Sequence, residues 1–370
     1  MVQSTARKYA QESLAQEAAR LDREQRFPKE QLAELAELGL MGINVPEAYG
    51  GAEAGAVSHA LALMELSQGC ASTTVTLAVN NMVAETIVKF GDEEQKQRYI
   101  PEITSGRFTA ASFALSEAHS GSDAASLRTT ARLDGDSWVL NGSKQWITSG
   151  DVAGVLTVWA RTETGVSQAK GISCFLVEGG TPGLLVGKHE DKMGLRASST
   201  VGLTFEDMRI PKSALLGARG QGFAIAMHAL AGGRIGIASQ AIGIATAALT
   251  EAVRYAKDRK AFGKPIGDYQ ALRFMLADCD TELAAARLLV LRAAGHKEAG
   301  QPYTLEGSMA KVFATEKANR ACDVAVQVHG GYGYINEFAA ERHYRDVRIT
   351  TIYEGTSEVQ RIVIGREVLK

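Results

Sequence analysis

Strand-like patterning in this chain is confined to one central stretch, roughly residues 108 to 212, with helical patterning on both sides. Strands gathered in the middle, instead of alternating with helices, disfavour a doubly wound parallel sheet and predict a β-domain between two helical ones. The expected division is 1–110 N-terminal helical domain, 111–213 middle β-domain and 214–370 C-terminal helical bundle. At 370 residues the chain can bury more than one core.

In the first region Leu32, Leu35, Ala36, Leu38 and Leu40 carry helical spacing, with Gly39 as a stop. Helical patterning resumes over residues 57–69 and 80–90, and Pro101 reads as a boundary. In the centre, Phe108 to Leu115, Thr129 to Leu133, Ser137 to Leu140, Val155–Ala160, Ile172–Val177 and Val201–Phe205 read as strands. Asn141-Gly142 is the usual signature of a two-residue hairpin turn, here before Lys144. Beyond Gly222, Leu272, Leu276, Cys279, Leu283, Ala286 and Val290 step by four and three. Met309, Val312, Phe313, Ala321, Val324 and Val328 outline another buried stripe. Long antiparallel helices of this kind predict a bundle.

Several function classes are disfavoured. A net charge of −2 argues against an extended nucleic-acid-binding face. No run of eighteen apolar residues suggests a membrane span, and Met1 to Asp22 lacks the apolar stretch of a signal peptide. Cys70, Cys174, Cys279 and Cys322 are far apart and read as reduced thiols, and the seven histidines show no metal-ligand spacing. A cytoplasmic protein of bacterial type, with no targeting segment and no metal, is the expectation. Neither G-x-G-x-x-G after a strand nor a Walker-type loop occurs, so a nucleotide-like cofactor must be held another way.

Near the C-terminus Glu354 stands between Tyr353 and Gly355, ahead of a helix start at which Ser357 and Gln360 fit an S-x-x-Q capping box. Apolar neighbours raise a carboxylate's pKa and make it a better base near neutrality; a solvated helix-start carboxylate is the plainer alternative. The loop Phe113-Ala114-Leu115-Ser116-Glu117-Ala118-His119-Ser120-Gly121-Ser122 leaves a strand rich in hydroxyls and free N–H groups, suited to an anion or the edge of a planar ring. Trp146-Ile147-Thr148 ends another strand. Gln327-Val328-His329-Gly330-Gly331 closes a long helix, and Arg259 and Gln270 flank a turn containing Phe262.

These segments, together with Gly69-Cys70-Ala71-Ser72, Gly194 to Thr200, Arg234 to Ala238, Glu341 to Asp346 and Tyr353 to Arg361, occur in an order that resembles the acyl-CoA dehydrogenase family, most closely its short-chain (butyryl-CoA) branch. The similarity runs from about Leu21 to the C-terminus. It implies a mainly α architecture with a central β-domain: an N-terminal helical domain, a β-barrel-like middle and a C-terminal four-helix bundle, with FAD where they meet. By position, Phe113, Leu115, Ser116, Gly121, Ser122, Trp146, Ile147 and Thr148 would contact the flavin, Thr148 near N5 and Ser116 near the pyrimidine edge. Arg259, Phe262, Gln270, Gln327, Val328, Gly330 and Gly331 would hold the diphosphate and adenosine of a neighbouring subunit's FAD. Thr356, Ser357 and Glu358 complete the cofactor site, while Ser122, Ala231, Arg234 and Gly355 fall at acyl-CoA contacts.

The resemblance further implies a homotetramer, a dimer of dimers, that passes electrons to electron-transferring flavoprotein. Glu354 would take the α-proton, its own N–H and a ribityl hydroxyl would steady the thioester oxygen, and a trans-2-enoyl-CoA would result. Some relatives carry the base at the position that is Gly233 here. Two departures stand out: Ala231 where an acidic residue is common, and Ala118-His119 where Pro and Gly are usual. An acyl-CoA oxidase, a DNA-damage-response flavoprotein of the AidB type and a flavin monooxygenase are the rival readings; the first is usually longer, the second predicts a basic C-terminal face, and the third lacks a carboxylate at position 354.

Overall fold

The computed structural model describes residues 1–370. Six helices come first: α1 (Val2–Tyr9), α2 (Ala15–Glu24), α3 (Lys29–Glu37), α4 (Ala56–Gly69), α5 (Ala71–Phe90) and α6 (Glu93–Thr104). A π-helical turn, Ala10–Leu14, joins the first two. The chain breaks between α4 and α5 at Cys70, which swings to φ −151°. Helix α5 is buried almost all round, and Leu77, Val83 and Ile87 are fully buried, each contributing about 2 kcal/mol of transfer free energy. Pro101 does not end its helix. It lies in the last turns of α6, where it forfeits one intrahelical bond, and its carbonyl still accepts from the Ser105 N–H and hydroxyl.

Eight strands then form one sheet in the order β6-β7-β3-β2-β4-β5-β8, with β1 pairing parallel to β4. They are β1 (Ala110–Ala114), β2 (Thr130–Asp134), β3 (Ser137–Thr148), β4 (Ala153–Arg161), β5 (Ile172–Glu178), β6 (Leu184–His189), β7 (Thr200–Pro211) and β8 (Leu215–Leu216). The hairpin turn expected at Asn141-Gly142 is not there. The β2–β3 turn is Gly135-Asp136, since Asp134 pairs with Ser137, and β3 runs on through residue 148. Asn141-Gly142 instead marks a bulge against β7. A Cβ on Gly142 would stand 2.7 Å from the Thr129 Cα, and the Asn141 amide exchanges two 2.9 Å hydrogen bonds with Asp207. Strand β6 has no counterpart among the expected strands; exposed along nearly its whole length, it lacks an alternating pattern.

The C-terminal region holds α7 (Gly222–Asp258), a small hairpin β9 (Lys260–Ala261) and β10 (Lys264–Pro265), then α8 (Gln270–Glu298), α9 (Thr304–His329), α10 (Ala340–Arg348) and α11 (Ser357–Val368). Helix α7 is long and apolar enough, with mean hydropathy 1.3, to match a membrane span by composition. Its apolar surface is instead mostly covered by neighbouring helices, and Gly243 lets α4 approach so closely that a Cβ would sit 2.4 Å from the Met64 carbonyl oxygen. On α8 the expected stripe is buried at Cys279, Leu283, Ala286 and Val290. On α9 the expected stripe is buried at Ala321, Val324 and Val328, but in the first turns Met309, Val312 and Phe313 are half-buried, whereas Gly307, Ala310, Lys311 and Ala314 face inward.

Polar ties fix the regions to one another. Trp159 Nε1 donates 2.7 Å to the Gly222 carbonyl, joining β4 to α7. The Leu195 N–H donates 2.6 Å to Asp346 on α10, and the Arg345 carbonyl lies where a Cβ on Gly194 would be. Arg345 reaches on to Asp22 at 2.7 Å. The segment before Glu354 is thereby clamped to both the sheet and the N-terminal helices.

Candidate active site

Glu354 follows a short 3₁₀ turn, Ile349–Thr351, and precedes α11. The helix cap is Thr356, one residue earlier than the expected Ser357: its hydroxyl accepts from the Val359 N–H at 3.3 Å. Gln360 does not close a capping box but donates to the carbonyls of Gly355 at 2.9 Å and Glu354 at 3.3 Å. Lys311 Nζ, buried on α9, adds a 2.7 Å bond to the same Gly355 carbonyl. With its carbonyls held, Glu354 adopts a left-handed backbone, φ 54°, a conformation that costs a non-glycine residue free energy and persists only where the surroundings enforce it.

The carboxylate is correspondingly poised. Its Oε2 is shut off from solvent with no hydrogen-bond partner. Burial pushes the pKa up to about 7, against the opposing pull of Lys311 and Arg234. The Glu354 N–H has no acceptor within the chain. A Cβ on Gly233 would stand 2.5 Å from Oε2 and 3.1 Å from Met82 Sδ, so that glycine makes the room the carboxylate occupies. The pocket is further lined by Ala78, Val79 and Thr86 of α5, by Ala229, Gly236 and Ile237 of α7, and by a polar group. Tyr353 bonds through its hydroxyl to Gln240, which in turn donates 2.9 Å to the Ala71 carbonyl.

The strand-end residues lie on the sheet. Val79 and Met82 of the Glu354 pocket share a core cluster with Leu115, against which Phe113 packs. Phe113 also lies over Trp159, ring centroids 4.3 Å apart. Trp146 has φ 63° at a second β3–β7 irregularity and stands 61% exposed. Ile147 turns its side chain into the sheet core, so only its backbone can meet a ligand there. Thr148 and Ser116 are half-buried, while Gly121 and Ser122 are exposed. The loop is pinned by Glu117, whose carboxylate accepts from buried Lys144 at 2.8 Å and from the Arg128 and Thr129 amides at 2.7 and 3.0 Å. His119 lies 3.5 Å from that carboxylate, on the surface.

Arg259, Val328, Gly330 and Gly331 line a different, open cavity of about 460 Å³ with Tyr255, His329 and Tyr332. Phe262 is 98% exposed at the tip of the β9–β10 hairpin, and Gln270 and Gln327 are exposed near it in sequence or on α9. Within one chain this cavity shares no lining residue with the Glu354 pocket. Ala231 and Arg234 are buried on α7; Arg234 donates 3.2 Å to Ser308, and its Nε is left without a partner. Thr356 is half-buried beside Gly355, Ser357 is buried with an unpartnered hydroxyl, and Glu358 is exposed.

The residues fit FAD. An exposed indole on a strained strand end offers a face to a planar ring, and Gly330 and Gly331 have open space where Cβ atoms would be. Lys311, Gln240 and Gln360 were absent from the expected site. A lysine among the small residues of α9 was the one available signal, and it marks the cation that most strongly favours the ionised base.

Comparison with known proteins identifies the family. The N-terminal, middle and C-terminal domains of acyl-CoA dehydrogenase match residues 1–107, 112–208 and 220–369. The short-chain specific acyl-CoA dehydrogenase of Bos taurus mitochondria is 52% identical over 371 residues, covering 100% of this chain and 90% of that protein. Butyryl-CoA dehydrogenase from Megasphaera elsdenii superposes with a TM-score of 0.97 at 41% identity, over 100% and 97% of the two chains. A chain solved in work on the electron transferring flavoprotein of Acidaminococcus fermentans gives 0.98 at 44% identity, over 100% and 97%. The chain belongs to the acyl-CoA dehydrogenase family, oxidoreductases, and to its short-chain branch.

Proposed function

We propose that the protein catalyses FAD-dependent α,β-dehydrogenation of a short- to medium-chain acyl-CoA to the trans-2-enoyl-CoA, with Glu354 as α-proton acceptor. The observation that carries this reading is Glu354 itself: a shielded, unpartnered carboxylate oxygen with its pKa near 7 and a free N–H on the same residue.

An α-hydrogen beside a thioester is weakly acidic, so its removal needs a base and a donor for the oxygen where charge develops. Glu354 offers both from one residue. Its N–H, with no acceptor in the chain and on a left-handed backbone, would supply a donor to the thioester oxygen; one preorganised donor of this kind is worth about 3 kcal/mol to the transition state. Met82, Val79 and Ile237 exclude water from the reacting carbons. Trp146, Thr148, Phe113, Leu115 and Ser116 would hold the flavin ring, and Thr356, Ser357 and Glu358 border that site. The chemistry supplied by a bound FAD is acceptance of the β-hydrogen with its electron pair. Ser122, Ala231, Arg234 and Gly355 would meet the acyl-CoA.

The separate cavity at Arg259, Val328, Gly330 and Gly331, with Phe262, Gln270 and Gln327, serves in this reading the FAD of a neighbouring subunit. This requires at least a second subunit, the dimer of dimers being what the family resemblance implies, and exposed Phe262, Phe274 and Leu288 supply apolar area for contact. The neighbour solved in work on electron transferring flavoprotein supports that protein as the electron acceptor. Four buried, unpaired cysteines fit a reducing compartment such as the cytoplasm.

Anaerobic titration of the purified yellow protein with butyryl-CoA tests the reading. Bleaching of the flavin with formation of the 2-enoyl thioester is expected; retained FAD that no acyl-CoA bleaches would overturn it.

A further inference from the structure

The pocket into which Glu354 opens has a second end, and that end is polar. Met82 lies on the Glu354 side of α5, and Glu85 stands three residues further on. Glu85 therefore lies about 4.5 Å further along the helix than Met82, roughly the length of three or four carbon–carbon bonds. Glu85 accepts a 2.5 Å bond from Lys297 Nζ on one oxygen and a 2.8 Å bond from Asn44 Nδ2 on the other. Consecutive glycines of α7 relate the two ends: a Cβ on Gly233 would strike Glu354 Oε2, and one on Gly232 would stand 3.2 Å from Lys297 Nζ.

The same end holds hydrogen-bonding capacity that the chain does not use. Asn44 Nδ2 lies 3.2 Å from His59 Nδ1; with that nitrogen as the acceptor, the ring proton sits on Nε2. His59 Nε2 is closed off from solvent without a partner. The Tyr303 hydroxyl makes no hydrogen bond within the chain, and His228 packs edge-on against Phe90, centroids 5.2 Å apart. Both Glu85 oxygens are engaged, so the spare groups that line the pocket are chiefly donors, while the unpartnered Asn44 Oδ1 lies behind the lining. The charges of Glu85 and Lys297 cancel, which favours a neutral acceptor over a carboxylate. A plain alkyl chain would cover these donors and leave them unpaired.

Resting on the dehydrogenation reading, we propose that the acyl pocket selects thioesters whose chain carries a neutral hydrogen-bond acceptor, a carbonyl or hydroxyl oxygen, roughly three or four carbons beyond the α-carbon. His59 Nε2–H and the Lys297 ammonium receive that oxygen. His59, Glu85 and Lys297 are then specificity determinants of the enzyme.

The test compares two ligands of equal length, 5-oxohexanoyl-CoA and hexanoyl-CoA, by calorimetric titration of the Glu354→Gln holoenzyme. The oxo ligand is expected to bind about tenfold more tightly, a ratio that falls toward one in a His59→Phe background and persists with His59→Gln, which keeps a donor. Equal or tighter binding of hexanoyl-CoA overturns the inference, and because this ratio needs no His59 variant, a poorly folding His59→Phe protein does not obscure it. Bleaching of wild-type flavin by either ligand separates the two levels. If hexanoyl-CoA binds better yet both bleach the flavin, the selectivity falls and the dehydrogenation stands; if neither bleaches it, both fall.

Discussion

Replacing Lys311 with methionine removes the buried cation that most strongly opposes the desolvation of Glu354. The sign follows from the charges. Burial raises the Glu354 pKa to about 7, and Lys311 favours the ionised form, so its loss moves the pKa higher. An opposite charge at close range is worth one to three pKa units, and about one unit is expected here because Arg234 remains. At pH near 7 the ionised fraction then falls from about one half to about one tenth, and kcat/KM with butyryl-CoA falls about fivefold. Stability changes little, by about 1 kcal/mol, because the Gly355 carbonyl still accepts from Gln360 at 2.9 Å. The assay is the pH dependence of kcat/KM over about pH 5.5 to 9, which reports the free enzyme's base. The acid limb is expected to shift alkaline in Lys311→Met and to return in Lys311→Arg. A limb that stays in place, or moves to lower pH, would refute the argument that Lys311 sets the charge state of the base.

Three further outcomes are expected. Gly233→Glu placed in a Glu354→Gly background should restore part of the dehydrogenation, because position 233 faces the space the lost carboxylate occupied; activity no higher than that of Glu354→Gly alone would count against a shared proton-acceptor position. Lys144→Met leaves the buried Glu117 carboxylate without its cation and should cost about 3–5 kcal/mol in urea unfolding, with weaker FAD retention, since Glu117 pins the 113–123 loop. Ala231→Asp sets a carboxylate one turn before Arg234, whose Nε is unpartnered, and should tighten acyl-CoA binding by up to about tenfold in a calorimetric titration.

The helical–β–helical order was legible because period-two and period-3.6 patterns respond to different environments, and here they do not mix. Glu354 was legible from its apolar surroundings and from the motifs around it. What escaped was geometry set by partners distant in sequence. Asn141-Gly142 carries the composition of a turn, yet Asp207 and Thr129 make it a bulge within a long strand. The α11 cap lies one residue before the expected Ser357 because Lys311 and Gln360 hold the Gly355 carbonyl. The first turns of α9 depart from the expected stripe for a related reason: Lys311, a residue that composition places on the surface, must face inward to reach that carbonyl. The polar end of the pocket escaped as well, since His59, Glu85 and Lys297 are brought together only by the packing of α4, α5 and α8.

The most direct test of Glu354 as proton acceptor is the rate of anaerobic flavin bleaching by butyryl-CoA and by its α,α-dideuterated form, in wild-type protein and in Glu354→Gln. Slower bleaching of the wild-type is expected with the deuterated substrate, and Glu354→Gln is expected to bind FAD and butyryl-CoA without bleaching. Bleaching of Glu354→Gln at a rate close to wild-type would contradict the proton-acceptor role of Glu354.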